Sequence, residues 1–88
     1  MDDISEWIVR WFLEHSSGEE KEIRQQLKEN YLEKGWIDSF KFILFITQVE
    51  KQFGISFSND EFQNRNFATI AGLAGIIRRK VHGQPEEV

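Results

Sequence analysis

Ile4, Trp7, Ile8, Trp11 and Phe12 recur at i, i+3, i+4, i+7 and i+8, which is one face of an amphipathic helix. Asp3 followed by Glu6 reads as a capping box, and Ser16-Ser17-Gly18 as a stop, so a helix is expected over about residues 3–15. The next stretch, about residues 19–34, is highly charged. Ile23, Leu27 and Tyr31 fall at i, i+4 and i+8 there, which allows a short helix inside a long connection. Gly35 breaks that pattern. From Ser39 to Phe53 no breaker occurs, and two apolar stripes run in parallel. Phe42, Phe45, Ile46, Val49 and Phe53 form one; Phe40, Ile43, Leu44 and Thr47 form the other. This predicts a second main helix ended by Gly54. Ser58 with Glu61 is another capping box, which places a short helix over about residues 59–64. Thr69 can cap a last helix carrying Ile70, Leu73, Ile76, Ile77 and Val81. Gly72 and Gly75 inside it cost about 1 kcal/mol each against Ala, which points to a close helix approach.

No alternating strand pattern competes with these periods. The fold expected is all-α, a bundle of three main helices plus one short helix. Residues 1–80 form the domain in this reading, and residues 81–88 a frayed C-terminal tail.

Composition narrows the chemistry. The chain has 88 residues, 40% hydrophobic and 30% charged, with a net charge of −4, which suits one small domain. It has no cysteine, hence no disulfide, no thiolate metal site and no thiol of its own. The acidic balance argues against a nucleic-acid partner. No apolar run approaches the about 18 residues of a membrane span. The acidic start MDDISE resembles neither a signal nor a transit peptide, so a cytoplasmic, monomeric protein is expected. The charge is unevenly placed: ten acids and five bases precede Ser39, and five acids and six bases lie from Ser39 onward. The long second helix holds only Lys41, Glu50 and Lys51.

No residue pattern makes an enzyme. His15 and His82 stand in no nucleophile or metal-ligand spacing, and His15 suits a helix C-terminus as a cation. Glu19, Glu20 and Glu22 read as a solvated face rather than a metal cluster. Ser39 is different. It follows Gly35-Trp36-Ile37-Asp38 and opens a helix, where free N–H groups and the positive dipole end favour an attached anion. A phosphodiester on its oxygen would sit in a suitable field. The plainer reading makes Asp38 or Ser39 only an N-cap.

The stretch Tyr31-Leu-Glu-Lys-Gly-Trp-Ile-Asp-Ser-Phe40, the long helix ending Val49-Glu-Lys-Gln-Phe-Gly-Ile55, Asp60-Glu-Phe62, and Ala68-Thr-Ile70 opening the last helix resemble an acyl carrier protein over about residues 3–80. The G-x-x-D-S spacing and Q-F-G-I followed by E-F look most like D-alanyl carriers and specialised acyl carriers. The resemblance implies that Ser39 takes 4′-phosphopantetheine from coenzyme A through a phosphopantetheinyl transferase. It further implies that Asp38 helps the transferase recognise the site. The arm's thiol would carry an acyl or aminoacyl thioester between a loading enzyme and downstream acyltransferases or synthases, in lipid or other biosynthesis. The carrier itself would have no turnover. Fatty-acid carriers typically have an acidic second helix, and this chain does not. Phe40, Ile43, Leu44 and Thr47 are therefore assigned to a partner or cargo surface, with Trp36 as a ring flanking the arm. The default reading of Trp36, however, is that it packs under its loop. The rival for the whole chain is an unmodified helical interaction domain in which Asp38-Ser39 is only a helix cap.

Overall fold

The computed structural model describes residues 3–82. Five α-helices follow one another: α1 Asp3–His15, α2 Glu20–Gln25, α3 Ser39–Phe53, α4 Asn59–Phe62 and α5 Ile70–Val81, with a 3₁₀ turn at Arg65–Ala68 before α5. The three long helices are the three expected main ones, and α4 is the expected short helix. Among the described residues the only β pairing is an isolated bridge between Asn30 and Thr69. The expected tail lies outside the described residues from Gly83 onward, and α5 keeps Val81 within the helix.

Three of the helix starts are capped by the side chains the sequence offers. Asp38 accepts from Lys41 N, Ser58 and Glu61 close a full capping box, and Thr69 accepts from Gly72 N. Gly54 ends α3 at φ 66°, a left-handed conformation that costs glycine nothing. The expected box at Asp3 and Glu6 does not form: Asp3 already lies inside the helix, and Glu6 is used elsewhere. Arg24 of α2 holds the Glu6 carboxylate with both terminal nitrogens, at 3.1 and 2.9 Å, while its Nε donates to Glu20. Arg10 adds a third donor to Glu6 at 3.2 Å. A bidentate guanidinium is a directional clamp, so the charges straddling the first loop tie α2 to α1.

The hydrogen bonds from Arg24, then Arg10, hold the Glu6 carboxyl down to about 2. Its folded-state affinity for a proton is thus below that of the unfolded chain. The stabilisation is fully present above the ordinary carboxylate range and fades as pH falls toward 2. Thermal melts of the native chain and Glu6→Gln are expected to differ at pH 6 and to converge between about pH 5 and pH 2. A constant gap across that range would show that the clamp contributes nothing through its charge.

The core is aromatic at its centre. Phe12 and Phe45 are fully buried, with ring centroids 5.2 Å apart in an edge-to-face pair. Tyr31 closes on both, 5.1 Å from Phe12 and 6.0 Å from Phe45. Its hydroxyl donates to Phe67 O at 2.8 Å, so the buried phenol is satisfied, and burial raises its pKa. Ile70, Leu73, Ala74, Ile76 and Ile77 bring the apolar face of α5 onto this centre.

The two glycines of α5 have different roles. A Cβ on Gly72 would overlap the backbone oxygen and Cβ of Asn66, because α5 starts directly against the 3₁₀ turn. A Cβ on Gly75 would meet nothing. Gly72→Ala is therefore expected to destabilise by about 1–3 kcal/mol through forced backbone displacement. Gly75→Ala is expected to stabilise by about 0.5–1 kcal/mol through helix propensity. Urea unfolding of the two variants checks the pair, and a shift of the same sign in both would contradict the packing difference.

Candidate functional site

The site is the junction between the loop of residues 26–38, which follows α2, and α3. The loop is pinned at several points. Asn30 Oδ1 accepts from Leu32 N and Glu33 N, at 2.8 and 2.9 Å, and folds the chain into a turn. Tyr31 N donates to Ala68 O at 3.0 Å, and Ala71 N donates to Leu27 O at 2.9 Å, so the loop is tied to the start of α5. Gly35 reverses the chain at φ 76°, where a side chain would be strained. Trp36 N then donates to Tyr31 O at 3.2 Å, and Ser17 N donates to Trp36 O at 3.3 Å.

Trp36 and Ile37 are both only 4% exposed. They act as anchors directly before the helix, and the next three residues, Asp38, Ser39 and Phe40, all stand exposed. Trp36 therefore packs as its default reading expects and is not part of the partner or cargo surface. Its ring sits edge-on to Phe12 at 6.2 Å, and it packs so closely over Gly18 that a Cβ there would lie 3.1 Å from it. A large apolar ring gains more from this pocket than from water, so it packs beneath the loop.

Asp38 is extended, and its Oδ1 accepts from Lys41 N at 2.8 Å. Asp38 is thus the N-cap, and Ser39 is the first helical residue. The hydroxyl of Ser39 makes no hydrogen bond to any described residue. A hydroxyl relieved of capping, on an exposed residue, at the positive end of a 15-residue helix, is free to be derivatised. The residues present fit a phosphodiester on that oxygen. Lys41 also fastens this end of α3 to the end of α1, its Nζ donating to His15 O. His15 itself stacks on Trp11 at 4.3 Å, with its Nδ1 2.9 Å from Trp11 O. It belongs to the α1 terminus and not to the Ser39 site.

The remaining expected surface residues lie together. Phe40 is 80%, Ile43 66% and Leu44 40% exposed, and Thr47 is exposed as well. A shallow groove of about 200 Å³ runs beside them, lined by Phe42, Ile43, Ile46, Thr47, Glu50 and Phe62. Phe62 was placed by the sequence only as part of a short helix. It is 42% exposed and packs on Phe67 at 4.9 Å and Phe57 at 6.1 Å, so one side of its ring is left beside α3. The only sequence signal for it is a bulky aromatic on a helix too short to bury it. Among the described residues no group of three His, Asp or Glu side chains could hold a metal, and no helix is long and apolar enough to cross a membrane.

A family model described as phosphopantetheine attachment site matches residues 20–77, well over half the chain, a span that includes this junction. The chain belongs to this family of carrier domains, which hold 4′-phosphopantetheine covalently and are not themselves catalytic. Such a carrier works with partner enzymes, transferases and synthases among them. Neither a curated protein nor a solved structure matches the chain.

Proposed function

We propose that Ser39 is the attachment residue and that the chain carries acyl or aminoacyl groups as thioesters on the arm. The observation that carries this reading is the division of labour at the start of α3. Asp38 caps the helix through Lys41 N, so the Ser39 hydroxyl has no structural task where an anion is favoured. In the attachment step the Ser39 oxygen forms a bond to the phosphorus of the pantetheine phosphate. The phosphoanhydride bond of coenzyme A breaks, the adenosine 3′,5′-bisphosphate leaves with the electron pair, and the hydroxyl proton passes to a base of the transferase. The arm then supplies the one thiol of a chain that has no cysteine. Tethering raises the effective concentration of the carried group at each enzyme that meets the carrier. Asp38 has a second role in this reading, as a recognition group for the transferase. Modification draws on a coenzyme A pool, which agrees with a cytoplasmic location.

The test is intact mass spectrometry after incubation with coenzyme A and a broad-specificity phosphopantetheinyl transferase. The expected result is a gain of one phosphopantetheine, mapped to the peptide that contains Ser39. No gain with several transferases, or a gain mapped elsewhere, would overturn the reading.

A further inference from the structure

Two ties run from the end of α1 to the segment that carries Ser39, one on each side of it. Before Ser39, Ser17 N donates to Trp36 O at 3.3 Å. After it, Lys41 Nζ donates to His15 O. Between the ties Ile37 is buried, whereas Asp38, Ser39 and Phe40 are exposed and lie outside the core.

Lys41 stands in the first turn of α3, where a cation opposes the helix dipole. The Asp38 carboxylate is exposed beside Ser39, and one of its oxygens accepts from the backbone N of Lys41. Among the described residues the Lys41 ammonium goes to His15 O rather than to that carboxylate. His15 is the last residue of α1, and its carbonyl is one of the four that a helix leaves without an internal partner. There the ammonium meets the negative end of a second helix dipole. One lysine thus closes the cap of α3 with its backbone and joins the head of α3 to the end of α1 with its side chain. A first helical turn frays, because its amides have no partners further back in the helix. A local cap moves with the turn it closes. The strut to His15 ties that turn to the body of the domain.

Resting on Ser39 as the attachment residue, we propose that Lys41 is a positioning residue for its modification. It holds the first turn of α3 against the end of α1, so that the Ser39 oxygen has one direction when the phosphoanhydride of coenzyme A is presented to it. A displacement of about 1 Å in a reacting atom can cost on the order of a hundredfold in rate.

The experiment compares the native chain with Lys41→Met, Lys41→Arg and Lys51→Met. Lys51 is exposed in the last turn of α3, so its Met variant loses the same charge far from Ser39. Initial rates of transfer from coenzyme A by a broad-specificity phosphopantetheinyl transferase give kcat and KM, with the carrier as the varied substrate. NMR relaxation gives the order parameters of the Ser39, Phe40 and Lys41 amides. In Lys41→Met, kcat is expected to fall about fivefold or more with KM within about twofold of native. The order parameters should drop from about 0.85 toward 0.6. Lys41→Arg also donates to a carbonyl and should restore most of both quantities. Lys51→Met should match the native chain, and all four proteins should melt within a few degrees of one another, since both positions are exposed. A native kcat in Lys41→Met overturns the positioning role. A raised KM at native order parameters overturns it too, because Lys41 is then a contact of the transferase. An equal fall in Lys51→Met does the same, because the loss of charge and not of the strut is then responsible. Absence of any transfer to the native chain with several transferases instead overturns Ser39 as the attachment residue, and the positioning proposal falls with it.

Discussion

Ser39→Ala is expected to abolish phosphopantetheine transfer completely while leaving the domain folded. The two halves of that outcome have separate causes. In the proposed reading, transfer needs the Ser39 oxygen as nucleophile, and alanine has none. The fold among the described residues does not need that oxygen, because Asp38 satisfies Lys41 N and the Ser39 hydroxyl bonds to none of them. The variant should therefore unfold within about 0.5 kcal/mol of the native chain, as exposed substitutions generally do. Asp38→Ala should show the reverse, losing about 0.5–2 kcal/mol with the cap while the hydroxyl remains. Asp38→Asn keeps an acceptor for Lys41 N and removes the charge. Slower transfer at native stability in that variant would separate recognition from capping. Intact mass and urea unfolding on the same three proteins read both quantities. Marked destabilisation in Ser39→Ala would mean that the hydroxyl is structural after all.

Phe12→Ala is expected to remove about 3–5 kcal/mol of stability, the range for truncating a fully buried aromatic. Phe12 is wholly enclosed, with the rings of Trp11, Tyr31, Trp36 and Phe45 between 5.1 and 6.2 Å away. Four elements meet there: α1 itself, the turn after Asn30, the anchor residue before Asp38, and α3. A domain of this size has total stability of only about 5–15 kcal/mol, so a loss at that site leaves it near its unfolding threshold. The denaturant midpoint should fall sharply with little change in slope. Transfer to Ser39 should fall with it above the melting point and recover on cooling. Phe40→Ala is the comparison within the same residue type. At 80% exposure it removes almost no buried surface, so its stability should be native. Equal losses in the two variants would refute the division of the aromatic residues into core and solvent-facing sets.

Helix existence and ends were legible because they depend on neighbours in the chain. The i, i+3, i+4 stripes over residues 4–12 and 42–53 became the buried faces of α1 and α3, and Asp38, Ser58, Thr69 and Gly54 took the terminal positions their chemistry suits. The second stripe on α3 was visible as a surplus of apolar residues over what one core face needs. The place of Trp36 was legible only as a default for a large apolar ring. An aromatic beside an exposed loop-to-helix junction can pack inward or outward, and the choice depends on whether Gly18, Ile23 and Phe12, all distant in sequence, leave a pocket for it. The same holds for Glu6, whose spacing suits a local box but whose carboxylate found a bidentate partner in Arg24, 18 positions away. Gly72 and Gly75 look alike in the chain, and only the position of Asn66 distinguishes them.

By itself the sequence determined the elements, the serine at the head of α3, the absence of any thiol and the shortage of acids along α3, since all of these are properties of composition and short-range order. Tertiary structure alone decided that the Ser39 hydroxyl is released from capping, that Glu50 turns its carboxylate inward to Phe57, and that Phe40 and Ile43 stay in solvent while Trp36 does not. These outcomes depend on which surfaces meet after the helices pack. That competition for a limited buried volume is settled by residues far apart in the chain, and no local pattern records it.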